Sequence, residues 1–157
     1  MTTQQRWMLE AVDLAVENVR SGGGGPFAAL VVRGGDLLAS GTNLVTSSND
    51  PTAHAEIVAI RRACERLGAF QLTGCEVYTT CEPCPMCLGA IYWARPDRVW
   101  YGATRADAAR AGFDDDFIYK EVSAPVEERK LPMRQIDRDA VLRAFREWEL
   151  KPNKVRY

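Results

Sequence analysis

The chain has a single histidine, no surplus of basic residues and no long apolar run, and each shortage removes a class of function. No stretch reaches the roughly 18 consecutive apolar residues that a membrane-spanning helix needs, so no membrane partner is expected. The N-terminus carries Glu10 and Asp13 inside a helix-like pattern and lacks the basic-then-apolar order of a secretory leader. Twenty lysines and arginines stand against 21 acidic residues, for a net charge of −1. Polynucleotide binders carry a strong basic surplus to meet phosphate, so a small uncharged substrate is expected and no nucleic acid. The five cysteines are an odd number, which favours a reducing cytoplasm over a disulfide framework. The run Gly22–Gly25 lacks the Gly-Lys-Ser/Thr ending of a phosphate-binding loop, so it is read only as the stop of a helix. No internal repeat or linker interrupts the sequence, and residues 1–157 are expected to form one domain.

What is present is an alternation of helical and extended patterns. Met8, Val12, Ala15, Val16 and Val19 recur at helical spacing and predict an amphipathic helix over residues 3–20. Phe27–Val32 and Leu37–Gly41 flank Arg33-Gly34-Gly35-Asp36, the pattern of a β-hairpin. Asp50-Pro51-Thr52 starts a second helix that runs to about Leu67 before Gly68. A strand at Glu76–Thr80, a helix at Cys84–Ala94 and a strand at Arg98–Tyr101 follow. Beyond Arg105 come short helical pieces, a strand near Met133–Ile136, and a helix at about residues 138–149. Strands joined through helices imply an α/β fold, a mixed sheet with helices on both faces.

A lone histidine is ordinarily no ligand, but His54 does not stand alone. Thirty positions on comes Pro83-Cys84-Pro85-Met86-Cys87. One imidazole and two thiolates suit one Zn²⁺ per subunit better than Mg²⁺ or Mn²⁺, and leave a fourth tetrahedral position open for water. Cys84 and Cys87 share a helix face at three-residue spacing, where the positive helix start favours thiolate. Glu56, two residues from His54, would flank the open position and carry the proton of the attacking water to the substrate. The competing arrangement is a closed structural site in which Cys81 supplies a fourth ligand and no chemistry follows. Cys64 and Cys75 read as ordinary buried small residues.

His-x-Glu followed by Pro-Cys-x-x-Cys is the signature of zinc-dependent nucleobase deaminases. From His54 to Tyr101 the chain resembles the cytidine deaminase-like superfamily, including tRNA adenosine deaminases with their Glu-Pro-Cys-x-Met-Cys segment. A fuller resemblance, to the bacterial guanine deaminases, takes in Asn43–Asn49, Asp50–Glu56, Cys81–Pro96, Ala111–Asp115, Phe117–Glu121 and Tyr157. It departs at Ala28, where glycine is expected after Pro-Phe.

The resemblance implies a three-layer αβα sandwich on a five-stranded mixed sheet. It also implies a homodimer that exchanges the C-terminal segment 150–157, and hydrolysis of guanine to xanthine and ammonia in purine catabolism or salvage. Carried over position by position, Phe27 stacks on the purine, Asn43 bonds its edge, and the Ala55 backbone lies alongside. Trp93 walls the pocket, Asp115 assists proton transfer, and Tyr157 closes the pocket of the neighbouring subunit. On the residues alone, Phe27 and Trp93 read more readily as core, Asn43 as a turn residue and Asp114-Asp115-Asp116 as a solvated or helix-capping run. Two rival functions stay open, a tRNA adenosine deaminase and a zinc-stapled nucleic-acid-binding module; the missing basic surplus counts against both.

Overall fold

A computed structural model describes residues 1–157. Helix α1 (Thr3–Arg20) starts on a capping box, in which the Gln5 N–H donates to Thr2 Oγ1 and the Thr2 N–H to Gln5 Oε1. The face it buries is Trp7, Ala11, Ala15 and Asn18, whereas Leu9, Val12, Val16 and Val19 are exposed. The predicted helix is there, but most of its aliphatic stripe points outward, because two alanines let the backbone approach the sheet closely.

The hairpin joins β1 (Ala28–Arg33) to β2 (Asp36–Thr42) through a two-residue Gly34-Gly35 turn. A short helix, α2 (Val45–Ser48), and then α3 (Ala55–Leu67), β3 (Cys75–Cys81), α4 (Pro85–Ala94) and β4 (Arg98–Ala103) complete the sheet region. Strand order is β2-β1-β3-β4, with β1 antiparallel to both neighbours and β3 parallel to β4. Ala28, the departure from the family pattern, is the fully buried first residue of β1, and its N–H donates to Thr80 Oγ1 at 3.1 Å.

Alternation along the strands divides the core. Ala29, Val31, Ala39 and Val77 face α3 and meet Ala55, Ala59 and Ala63; Leu30, Val32 and Tyr78 face α1 and meet Trp7 and Ala11. Helices therefore cover both faces, as expected. The sheet has four strands rather than the expected five. The strand expected near Met133–Ile136 does not form. Its apolar residues stand three apart instead of alternating, and Pro132 beside them withholds a ladder donor.

Contacts divide the chain into two units, residues 1–115 and 116–157. The first carries the sheet and ends with α5 (Arg105–Arg110) and the loop to Asp115. The second holds α6 (Asp116–Ser123), a 3₁₀ turn at Val126–Glu128 and α7 (Arg138–Leu150). None of its residues is fully buried, and Phe117, Val122, Leu131, Val141, Phe145 and Trp148 are exposed.

Candidate active site

Two helix starts converge. His54 is the N-cap residue of α3 and Cys84 that of α4, both in extended backbone, with Pro85 opening α4. His54 Nδ1 lies 3.5 Å from Cys84 Sγ and 3.5 Å from Cys87 Sγ, and all three ligand atoms lie within 4.8 Å of one another. A tetrahedral zinc with Zn–N near 2.0–2.1 Å and Zn–S near 2.3 Å sets its nitrogen and sulfur ligands ~3.5 Å apart. The nitrogen therefore stands from each sulfur at the separation one zinc ion requires, and the borderline and soft donors match that metal.

The sulfurs are electrostatically unequal. A bond from the Cys87 thiol, followed by those involving His54, holds Cys84 down at about 4 against the opposing effect of burial. Cys87 is pushed strongly upward by its bond to Cys84, by burial and by Glu56. One thiolate forms without help, and the charge of a metal ion is what would hold the second. His54 is raised, first by its bond to Cys84.

Glu56, in the first turn of α3, is 6% exposed. Its Oε2 lies 3.4 Å from Cys87 Sγ, and its Oε1 lies 3.2 Å from Thr79 Oγ1. Burial, the largest influence, raises its carboxyl above the usual carboxylate range. It does not join the three-atom ligand group, so it sits beside the metal position rather than in it. Cys81 stays out as well: its Sγ faces the Thr104 carbonyl at 3.8 Å, and burial pushes its thiol up to about 11. Cys81 is thus not part of the ligand group, in which His54, Cys84 and Cys87 converge.

The expected base-contacting residues take distinct places in the chain. Phe27 precedes β1, packs on the core and meets Phe113 edge-on, with ring centroids 4.9 Å apart at 84°. Asn43 follows β2 and is 8% exposed; its Oδ1 accepts the Val45 N–H at 3.2 Å. Ala55 is fully buried at the first position of α3. Asp115 is half-buried, and its carboxyl is raised, by burial and then by the negative charge of Cys84. Trp93 on α4 is exposed, as is Tyr157 in the second unit. Sequence reasoning missed Thr79, Phe113 and Asn18. Only Thr79 offered a signal, a hydroxyl at an inward strand position between Val77 and Cys81.

The chain belongs to the family defined by the cytidine and deoxycytidylate deaminase zinc-binding region, which matches residues 1–103. Within it, the chain is 56% identical over 153 residues to the guanine deaminase of Bacillus subtilis (strain 168), with 98% of each chain covered. A solved X-ray structure of guanine deaminase from Bacillus subtilis matches with a TM-score of 0.95, at 56% identity and 98% coverage of both chains. Solved structures bound to 2,6-diaminopurine and 8-azaguanine match at 35% and 34% identity, each with a TM-score of 0.69, covering 71% of this chain and 62% and 64% of theirs. A tRNA-specific adenosine deaminase of Agrobacterium fabrum is 45% identical over 95 residues, or 59% of this chain and 62% of that one. The fold is the cytidine deaminase-like αβα sandwich, and the His54, Cys84 and Cys87 group fits one zinc per subunit.

Proposed function

We propose that this protein is a zinc-dependent guanine deaminase, a hydrolase that breaks the exocyclic C–N bond of a cyclic amidine and converts guanine and water to xanthine and ammonia. The observation that carries the chemistry is the Glu56 carboxyl, buried 3.4 Å from Cys87 Sγ with its other oxygen beside the Thr79 hydroxyl. When bound, zinc supplies the Lewis acidity that brings water toward ionisation at neutral pH. Glu56 takes one proton of the attacking water at Oε2 and delivers it to the ring nitrogen. It then moves the remaining proton of the added hydroxyl to the exocyclic amine, which leaves as ammonia as the C–N bond breaks and the carbonyl forms. Asp115, raised in the same field, assists the last transfer. Phe27 stacks on the base, the Asn43 amide donates to an acceptor on its edge, and Trp93 and the Ala55 backbone bound the pocket.

The substrate reading is supported by the relative 56% identical across nearly the whole chain, and a small neutral base suits a net charge of −1. The whole chain 1–157 acts as one deaminase domain in a homodimer that exchanges the tail 150–157, so that the partner's Tyr157 closes each pocket. Support comes from the second unit, whose apolar side chains lie exposed and which buries no residue of its own; such a surface is ordinarily covered in an assembly. Five thiols without a disulfide suit the cytoplasm, and no helix is long and apolar enough to cross a membrane.

The test offers the zinc-loaded protein free guanine and, separately, tRNA bearing adenosine. Xanthine and ammonia in equal amounts from guanine are expected. Inosine in the tRNA without xanthine from guanine would overturn the reading in favour of a tRNA adenosine deaminase.

A further inference from the structure

We infer that Asn18 is a positioning residue for the base pocket, and that Gly23 and Gly24 are glycine so that the chain can close around its amide. The inference rests on Phe27 and Asn43 being the residues that hold the purine. Asn18, near the end of α1, is 6% exposed. Its Nδ2 donates to the Gly25 carbonyl at 3.0 Å and to the Asn43 carbonyl at 2.9 Å. One buried amide nitrogen therefore spends both protons joining two segments that the hairpin separates.

The remaining bonds close a circuit through the pocket residues. The Gly23 N–H donates to the Asn18 carbonyl at 2.8 Å, the Phe27 N–H to the Gly25 carbonyl at 2.9 Å, and the Asn43 N–H to the Phe27 carbonyl at 3.1 Å. The positions of Phe27 and Asn43 thus follow from where the Asn18 amide lies. The glycines are what this requires. A Cβ on Gly23 would stand 2.3 Å from Asn18 Oδ1, and one on Gly24 would stand 2.3 Å from the Asn43 carbonyl oxygen. Gly22 differs: its φ of +77° favours glycine, but a Cβ there would meet nothing within 4 Å. Gly23 and Gly24 hold space for Asn18 and Asn43.

That difference separates positioning from mere stability. Zinc-loaded, full-length Asn18→Ala, Gly24→Ala and Gly22→Ala proteins are compared for 8-azaguanine affinity by calorimetry, guanine kinetics, zinc content and Tm. Phe27→Ala and Asn43→Ala serve as reference variants. Gly24→Ala and Asn18→Ala are expected to raise Kd and KM on the order of tenfold, since a small misplacement costs that much, with zinc retained. Gly22→Ala is expected to lower Tm while leaving Kd unchanged, because strain there moves neither pocket residue. Should Asn18→Ala fail to fold, Gly24→Ala carries the test, because it shifts the circuit without touching the amide. Unchanged Kd in Gly24→Ala, or an equal rise in Gly22→Ala, would overturn the inference while Phe27→Ala and Asn43→Ala still weaken binding. Unchanged Kd in those two reference variants would instead overturn the pocket reading, and this inference with it.

Discussion

At the scale of the residue, the proposed chemistry turns on keeping one carboxyl dry, aimed and able to change protonation state. α3 supplies Glu56 from its first turn, and the sheet supplies Thr79 opposite. The Thr79 hydroxyl lies 3.2 Å from Glu56 Oε1 and 3.1 Å from the Cys81 carbonyl oxygen, so its single proton serves one acceptor at a time. Glu56→Gln keeps size and polarity but removes proton transfer. It is expected to retain zinc and fold while kcat falls by roughly 10²–10⁴-fold; near-normal turnover with a full zinc complement would remove Glu56 from the reaction. Thr79→Val tests the aim of the carboxyl rather than its chemistry. Loss of one buried hydrogen bond is expected to cost kcat about tenfold with KM little changed, and Thr79→Ser to restore it. If the valine variant turns over normally, Thr79 merely fills space.

At the scale of the element, β3 serves two masters. Its inward face toward α3 carries Val77, Thr79 and Cys81 to the site, while Glu76 and Tyr78 sit on the α1 side. There Tyr78 Oη and Trp100 Nε1 both donate to Glu76 Oε2 at 2.8 Å, tying β3 to β4. Burial, and then the bond to Glu76, push the Tyr78 phenol up from 10.0 to about 12. A folded-state value above the unfolded one gives stability that is complete below the unfolded value and lost as pH rises through the folded value. Wild type is therefore expected to lose Tm between about pH 10 and 12, and Tyr78→Phe to show less of that loss; parallel Tm curves in this window would exclude the network from alkaline stability.

Elements and ligands were legible in the sequence to different depths. His54, Cys84 and Cys87 could be read because few side chains bind zinc, and three-residue spacing at a helix start is local information. The α1 helix was legible, but the face it buries was not, since alanine approach to the sheet outweighed the larger aliphatic stripe. Asn18 escaped because its bonds reach Asn43 across the whole hairpin, and an asparagine near a helix end has many ordinary explanations. The five-stranded count came with the family resemblance, and the separate expectation of a strand near Met133–Ile136 failed because Met133 and Ile136 stand three apart beside Pro132.

At the scale of the whole molecule, the proposed dimer and its exchanged tail concern the second unit. Phe117, Val122, Leu131, Phe145, Trp148 and Tyr157 are exposed, whereas a surface so rich in large apolar side chains is ordinarily buried by association. The tail Lys151–Tyr157 is tied locally, with Lys154 Nζ donating to the Glu149 carbonyl at 2.6 Å and the Lys151 carbonyl at 3.3 Å, which caps the end of α7. A capped helix end presenting a terminal aromatic suits a lid over an apolar purine, where excluding water strengthens every charge inside. Deleting residues 151–157 is expected to leave zinc bound and the sheet folded while kcat/KM for guanine falls sharply. The arrangement in trans is tested by mixing. Truncated protein has intact catalytic residues and no lid; full-length Glu56→Gln has a lid and no proton carrier. If tails are exchanged, each mixed dimer joins one intact site to one intact lid, and activity returns to at most about half that of the wild-type dimer. Recovery must follow the fraction of mixed dimers, measured by native mass spectrometry, as subunits exchange. Full activity after truncation would show that the tail is no lid, and mixed dimers that form without recovering activity would place each lid over its own subunit's pocket.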